Sequence, residues 1–594
     1  MTGAVFELAA PMVLLEGADA QGRALLFQHP EDILIARQAD EAATVLKALE
    51  AALERGLHAA GYLSYELGLA LEPHLAPLLD AKPSGGPLLW LGLFRAPLVL
   101  EAAQVDAMLA AASPPPPLGG LDPEAARSRH EDRVREALGL IGAGDLYQVN
   151  LTHPLSFTYQ GDPLSLYAAL RSRQAGAYSA LVRTGDVDIL SASPELFLEV
   201  RDGLATTRPM KGTTRRGADP VSDAAQKAAL VADEKQRAEN LMIVDLMRND
   251  LSRISRAGGV DVPALFTVET YPTLHTLTST VTGRLRDGVG AAEVLRALYP
   301  CGSITGAPKI RAMQVIDALE TAPRGAYTGS IGVFSPDGEV SLNVAIRTAV
   351  IDGAGRGSYA VGGGVVADSD PGAEFEETLL KARILTDLAK PYGLIETLAW
   401  RPGLGFVRLE RHLDRLAASS RALGFALDRR ALTEALASLG AMLVAPTRIR
   451  IELSSEGAFE ITQAPLDHNP ERPLRLTVAR ASVHAGDPFL AHKTTRREVW
   501  DEAAREATAQ GFDDAVFLNQ RGEVTETTRF SLFVKKDGRL ATPPLSAGLL
   551  PGVLRQELLD AGRAVEAPLR LLDLQGEAGF YVGNSLRGLM KAEV

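Results

Sequence analysis

Gly362–Ala382 reads GGGVVADSDPGAEFEETLLKA, a glycine-rich strand and loop running into a helix. On that helix Glu374, Glu377 and Lys381 stand at i, i+3 and i+7, so all three share one face. An ion-paired, solvated face explains the pattern as readily as a binding site does. A second acidic helix lies upstream in Lys235–Asp250, KQRAENLMIVDLMRND, whose apolar run is too dense for a surface helix. Glu239 enters that buried helix at a cost unless something cationic meets it. Two carboxylate-bearing helices facing an oxygen-rich anion suit Mg²⁺, which takes few protein carboxylates and completes its shell with substrate oxygens and water.

Three further polar segments interrupt the apolar patterning. Gly144–Thr152, GDLYQVNLT, is a loop feeding a strand and on its own an ordinary turn. Ser193–Leu198, SPELFL, sets Glu195 among apolar neighbours. A carboxyl held there has a raised pKa and can serve as a general acid, whereas a surface Glu at a strand start is the plainer alternative. Thr207–Arg216, TRPMKGTTRR, has Pro209 and Gly212 shaping the backbone around Lys211, with Arg208, Arg215 and Arg216 crowding it. Neighbouring cations favour the neutral, nucleophilic amine; an exposed basic turn is the competing reading. Gly353–Gly357, GAGRG, fits a hairpin turn, and Ser303–Lys309, SITGAPK, lacks the spacing of a phosphate-binding P-loop.

At 594 residues the chain exceeds one ordinary core, given roughly 100–200 residues per domain. Its net charge of −13, with no basic block, argues against nucleic acid as a partner. No apolar run approaches the roughly 18 residues of a membrane span, and the start of the chain has no basic n-region, so a signal peptide is not expected. One cysteine, Cys301, excludes an internal disulfide and a CxxC metal site. These readings point to a reducing, cytoplasmic setting. Ala111–Gly120, AASPPPPLGG, reads as a polyproline II spacer, and Pro391-Tyr-Gly393 as a second break. The expected plan is a lobe over 1–112, a middle region over 121–389 and a C-terminal unit over 392–594.

YQVNLT, SPELFL, RPMKGT, AENLMIVDLMRNDL, SITGAPKIRAMQVIDALE, LNVAIRTA and the opening stretch follow one another through the middle region. In that order they resemble the chorismate-utilising family of anthranilate, aminodeoxychorismate, isochorismate and salicylate synthases. The resemblance implies an α/β fold, a layered β-sandwich with surrounding helices and the active site between its sheets. It implies Mg²⁺ on Glu239 and Glu377 with Glu374 nearby, and Glu195 as the acid for a departing hydroxyl. Arg347, Tyr327 and Lys381 match groups on the substrate carboxylates. Gly363 and Gly364 match backbone lying close to substrate, and His275 matches a histidine near the reacting ring. Gln148 stands where the isochorismate- and salicylate-forming members carry a water-activating lysine. Lys211 stands where anthranilate synthases carry alanine. A lysine there looks like the aminodeoxychorismate synthases, whose amine attacks ring carbon 2 as the 4-hydroxyl leaves, before ammonia adds at carbon 4. Gln236 departs from the pattern, since many relatives carry a carboxylate there. The N-terminal lobe is similar to one that binds tryptophan in some members, but Gly17 replaces the serine of that motif. Cys301 lies inside the chorismate region, so ammonia is expected from a separate glutamine amidotransferase subunit.

In the C-terminal unit, Lys493 in HKTTRREVW reads alone as a helix-start lysine. Its context is Glu526 in GEVTETTRFSLFV, Arg415 in ERHLDRLAASS, and SAGLLPGVLR (546–555), whose amides at a helix start suit a phosphate. Together these resemble the fold-type IV pyridoxal-phosphate enzymes, a two-subdomain fold that includes branched-chain and D-amino acid aminotransferases and aminodeoxychorismate lyase. The resemblance implies pyridoxal 5′-phosphate bound covalently by Lys493, its pyridine nitrogen against Glu526, and its phosphate on Arg415 and the amides around Leu549. Thr527 and Thr528 are expected beside the cofactor, Asn584 and Ser585 near the substrate, and a homodimer through this unit. Ser531 stands where relatives often have Asn. Joined in one chain, the two resemblances imply consecutive steps: chorismate and ammonia to aminodeoxychorismate, then pyruvate elimination to 4-aminobenzoate for folate biosynthesis. The alternatives are an anthranilate synthase with an appended aminotransferase, or a C-terminal unit that only docks a glutaminase.

Overall fold

The computed structural model describes residues 8–19, 21–82, 85–174, 176–215, 220–270, 274–536, 538–575 and 579–594. It divides into two compact units. The first comprises Met1–Val105, Pro117–Pro163 and Arg173–Ala389; the second comprises Asp106–Pro116, Leu164–Ser172 and Lys390–Val594.

Among the described residues, the strands of the first unit form two antiparallel sheets. In one, Gln148–Thr158 lies between Gly306–Ala307 and Arg356–Val365, and the order continues through Thr348–Asp352, Val187–Ser191 and Ala180–Arg183 to Met12–Leu15, Ala24–Gln28 and Leu98–Leu100. The other runs from Met210–Arg215 through Leu274–Leu285, Leu204–Arg208, Leu196–Arg201, Val340–Asn343 and Ser330–Phe334 to His58–Leu63, Leu89–Phe94 and Asp32–Ala36. Val13, Phe27 and Val182 of one sheet join Tyr62, Trp90, Phe94 and Val333 of the other in one apolar core. This is the expected layered arrangement, in which alternating residues of two sheets interdigitate. The helices Ala39–Glu54, Glu234–Ser252 and Lys309–Leu319 add Leu46, Ile243, Val244, Met313 and Ile316 to a second core with Val149, Leu151 and Leu198.

Met12–Leu15 pairs with Ala180–Arg183, and His58–Leu63 pairs with Ser330–Phe334. The N-terminal lobe and the middle region therefore share both sheets. The proline run does not separate them: Pro114 and Pro115 are buried, and their segment belongs to the second unit. There Asp106, 3% exposed, accepts from Arg171 at 2.9 Å, Arg521 at 2.6 Å and Gln520 at 2.7 Å. A buried carboxylate needs such donors, and they tie both inserted segments to this unit.

Two buried ion pairs brace the first unit. Lys309 donates to Asp250 at 2.5 Å and to the Leu298 carbonyl at 2.9 Å, so the lysine of SITGAPK is engaged in packing rather than on phosphate. Arg324 grips Glu320 and donates to the Asn150 carbonyl at 2.6 Å and the Ile304 carbonyl at 3.0 Å. Glu320 in turn accepts the Thr152 N–H at 2.7 Å. This one pair locks the strand that begins at Gln148 to the turn that carries Ser303.

In the remaining part of the second unit, Leu394–Arg401, Gly405–Phe406, Thr447–Leu453 and Phe459–Pro465 form a sheet covered by the helices Leu409–Leu423 and Arg429–Met442. Among the described residues, eight further strands form a second sheet, in which Val524–Thr527 also pairs with Ser531–Lys536 and closes part of the sheet into a ring. These are two subdomains. No helix among the described residues is long and apolar enough to cross a membrane.

Gly17 takes φ +67, and a Cβ there would lie 2.2 Å from the Ala177 carbonyl oxygen. A serine at that position meets both a left-handed backbone and a steric wall. Gly17→Ser is expected to destabilise the chain by about 1–3 kcal/mol, read as a lower urea midpoint at unchanged slope. An unchanged midpoint would contradict this.

Candidate active sites

Gly363 and Gly364 stand opposite Leu151 and Asn150 in the pairing of Arg356–Val365 with Gln148–Thr158. A Cβ at Gly364 would lie 2.6 Å from Gln148 Nε2 and 3.3 Å from Lys211 Nζ. At Gly363 it would lie 3.1 Å from Glu374 Oε2, 3.8 Å from Glu377 Oε1 and 3.9 Å from Lys381 Nζ. Successive positions of one strand thus serve two groups of functional side chains, and the missing Cβ atoms let both approach. Lys381 donates to the Gly362 carbonyl and pairs with Glu377, both at 2.7 Å. Lys211 reaches the strand because its pairing with Leu274–Leu285 shifts register between Lys211 and Thr213, where Gly212 takes φ +81. A bulge of this kind re-aims a side chain.

Glu195 is 5% exposed. Burial raises its carboxyl pKa, against the opposing pull of the Ser303 hydroxyl, Lys211, the Met210 N–H and Arg347. Among the described residues, neither Glu195 Oε1 nor Gln148 Oε1 has a hydrogen-bond partner. Buried polar atoms are rarely left so, which marks both as candidate contacts for a ligand. Arg347 takes φ +54 and Thr328, next to Tyr327, takes φ +59; for a β-branched residue that is strained backbone of the kind concentrated at functional sites. Arg347 acts electrostatically on Glu195, Tyr327 and Tyr359. Burial raises the Tyr327 phenol well above its usual pKa.

The acidic group opens to solvent, with Glu239 and Glu374 half-buried and Glu377 exposed. Burial raises Glu239, which is pulled down by Lys211 and Lys235 and pushed up by Glu377 and Glu374. Burial also raises Glu374, whereas Lys381 lowers Glu377. Among the described residues, no three His, Cys, Asp or Glu side chains are gathered as a metal centre. Glu377 is paired with Lys381, Glu374 accepts from Ser369 at 2.6 Å, and both carboxylates act electrostatically on Glu239. The donor chemistry still suits Mg²⁺, which needs only one or two carboxylates beside substrate oxygens.

Other placements differ from expectation. The charges that couple to Lys211 are the carboxylates of Glu195, Glu239 and Glu377. Arg208 is turned to Glu269 and to the Tyr178 hydroxyl. Arg216 and the Arg215 side chain lie outside the described residues. His275 is fully buried, with Nε2 on Asp223 at 2.8 Å and Nδ1 on Thr270 at 3.1 Å, so both ring nitrogens are engaged. Cys301 is buried, and burial together with Glu195 pushes its thiol up to about 12. Such a thiol is inert rather than nucleophilic.

In the second unit, desolvation and the nearby Arg497 and Arg415 lower the Lys493 amine to about 8. Desolvation raises Glu526 to about 7, against the Leu550 N–H and Lys493. Arg415 donates from Nε and Nη2 to Glu396 at 2.8 and 2.7 Å, and from Nη1 to the Pro551 carbonyl at 3.2 Å. Lysine, carboxylate and arginine thus surround the Leu549 loop, and this set fits pyridoxal phosphate. The hydroxyls of Thr527 and Thr528, on the strand end that carries Glu526, donate to the fully buried Asp514 at 2.9 and 2.5 Å.

The model of chorismate binding enzymes matches residues 10–387. The chain belongs to the chorismate binding enzyme family. Residues 393–593 match the class IV amino-transferase model. Aminodeoxychorismate synthase of Streptomyces pristinaespiralis is 41% identical over 399 residues, 62% of this chain and 54% of that relative. Aminodeoxychorismate synthase component 1 of Klebsiella aerogenes is 46% identical over 263 residues, 44% of this chain and 58% of the relative. The chain spans about half the length of such curated relatives. Anthranilate synthase component I from Streptococcus pneumoniae superposes with a TM-score of 0.52 at 27% identity, covering 66% of this chain and 94% of that one.

Sequence reasoning missed Ser303, Lys235, Glu396, His412 and Arg497. Glu396 had a readable signal, a lone carboxylate inside the apolar strand LIETLAW. Ser303 lay inside the segment set aside for its wrong P-loop spacing.

Because Glu526 is raised from 4.5 to about 7, the stability it contributes is complete below its unfolded value and is lost as pH rises through about 7. Thermal unfolding of the cofactor-free chain is expected to show this decline between about pH 4.5 and 7, and Glu526→Gln to flatten it. An identical profile in the variant would contradict the assignment.

Proposed function

We propose that the first unit converts chorismate and ammonia to 4-amino-4-deoxychorismate, and that the second eliminates pyruvate from it to give 4-aminobenzoate for folate biosynthesis. The observation that carries this reading is the Lys211 amine held against Gly364 and Gln148 and coupled to the buried acid Glu195. The names of the relatives support the same chemistry.

Lys211 Nζ forms a bond to ring carbon 2, the ring double bond shifts, and the carbon 4–oxygen bond breaks. Glu195, whose carboxyl burial shifts towards its protonated form, gives a proton to the leaving oxygen, which departs as water. Ammonia then bonds to carbon 4, the double bond shifts back, and the bond to Lys211 breaks. The proton shed by the incoming nitrogen restores Glu195. Gln148 has no basic group, which favours a nitrogen nucleophile over activated water. Arg347, Tyr327 and Lys381 orient the substrate carboxylates. Mg²⁺, held by Glu239 with Glu377 or Glu374, would neutralise charge on the ring carboxylate. The inert Cys301 supports delivery of ammonia by a separate glutamine amidotransferase.

In the second unit, pyridoxal phosphate would supply the electron sink for proton loss next to nitrogen. Lys493, its amine lowered to about 8, removes the proton from the amine-bearing carbon. Glu526 would hold the pyridine nitrogen, and Arg415 would hold the phosphate. Aromatisation of the ring drives pyruvate out.

The test is product analysis of the full chain with chorismate, Mg²⁺, ammonium and pyridoxal phosphate. It is expected to yield 4-aminobenzoate, and Lys493→Ala to accumulate aminodeoxychorismate instead. Unchanged 4-aminobenzoate formation in Lys493→Ala would favour a docking role for the second unit, and anthranilate as the main product would overturn the first step. Glu195→Gln is expected to lower kcat of the first step about 10²–10⁴-fold; an unaffected rate would remove the acid role.

A further inference from the structure

The phosphate arginine of the second unit is not a free cation. Glu396, 1% exposed on the strand Leu394–Arg401, holds the Nε–Nη2 edge of Arg415 through both carboxylate oxygens, at 2.8 and 2.7 Å. The remaining corner, Nη1, points to the Pro551 carbonyl at 3.2 Å, on the loop between Gly548 and the helix Val553–Asp560. Glu396 Oε2 also meets His412 Nδ1 at 2.6 Å, and His412 Nε2 meets the Ser585 hydroxyl at 2.8 Å. The strand itself is fastened to the cofactor lysine, since the Ile395 N–H donates to the Lys493 carbonyl at 2.8 Å.

Burial alone would raise the Glu396 carboxyl, but Arg415 and the His412 bond outweigh it and hold it at about 2. Glu396 is therefore anionic, and His412 Nδ1 carries the hydrogen that faces it. On the far side of the ring, His412 Nε2 holds the Ser585 hydroxyl at 2.8 Å, so the ring's orientation by Glu396 sets where that hydroxyl lies. Ser585, His412, Glu396 and Arg415 form one connected chain of short polar contacts.

We propose that Glu396 is a positioning residue for the phosphate end of pyridoxal phosphate: its hold on one edge of Arg415 turns the remaining corner to the 548–552 loop, and through His412 it sets the Ser585 hydroxyl. This rests on the pyridoxal-phosphate reading of the second unit. Charge and orientation make opposite predictions here. An anion beside Arg415 repels a phosphate, so if Glu396 were only a counter-ion, neutralising it would tighten phosphate binding. A guanidinium acts through its rigid fork, and pre-organising that fork lowers the entropy lost on binding. If orientation dominates, neutralising Glu396 weakens phosphate binding.

The experiment compares equilibrium binding of pyridoxal phosphate and of pyridoxal, which lacks the phosphate, to the full chain, followed by cofactor absorbance. The readout is the preference for the phosphorylated form, which a general loss of packing lowers for neither ligand selectively. Glu396→Gln is expected to reduce that preference at least tenfold, and Glu396→Gln combined with Arg415→Gln to match Arg415→Gln alone, because both act through one guanidinium. An unchanged or increased preference, or additive losses in the double variant, would overturn the proposal. Should Glu396→Gln fail to fold, Glu396→Asp, which keeps the charge and withdraws the fork by one methylene, is expected to reduce the preference at least threefold; an undiminished preference overturns it equally. A wild-type chain that binds no pyridoxal phosphate would instead remove the underlying reading.

Discussion

The close approach of ionisable and amide side-chain ends to the bare strand positions Gly363 and Gly364 is the constraint on which the first site depends. A strand bare of Cβ atoms at two successive positions lets Gln148 and Lys211 close on one and Glu374, Glu377 and Lys381 gather at the other. The ten-residue antiparallel pairing with Gln148–Thr158 fixes where those positions fall. That partner strand is itself held by the Arg324–Glu320 pair through Asn150 and Thr152. Register, glycine and buried ion pair act together, and the ionisable groups follow from them.

Both units apply one electrostatic device to different chemistry. Removing a carboxyl or an amine from water favours its neutral form. In the first unit this raises Glu195, against the pull of Ser303, Lys211, the Met210 N–H and Arg347. In the second it lowers Lys493 to about 8 and raises Glu526 to about 7, so base and acid approach one another on the pH scale. Glu396 shows the counter-case, where Arg415 and His412 outweigh burial and keep a carboxylate charged. Burial by itself does not determine the ionisation state; the number of donors facing the group does.

The motif order made the sandwich and the class IV unit readable from the residues. The union of the N-terminal lobe with the middle region was not, because it depends on strands such as Met12–Leu15 and Ala180–Arg183 pairing across more than 150 residues. The proline run looked like a spacer because local composition reports an extended backbone, and the burial of Pro114 and Pro115 is a tertiary fact. The arginines around Lys211 looked crowded because they are close in sequence, whereas strand alternation and Glu269 carry Arg208 away. That the Thr527 and Thr528 hydroxyls hold Asp514 was not legible, because Asp514 lies on a neighbouring strand. Glu396 is the instructive omission, since a lone carboxylate in an apolar strand is a signal in its own right.

The central claim is that the amine of Lys211 forms a covalent bond to the substrate ring. Intact-mass spectrometry of the full chain, quenched after incubation with chorismate and Mg²⁺ but no ammonium, tests it directly. The account predicts a mass gain of chorismate less one water, mapped to the peptide that carries Lys211, absent in Lys211→Ala and discharged when ammonium is added. A wild-type chain that turns over with ammonium yet shows no adduct, or an adduct that persists in Lys211→Ala, would contradict it.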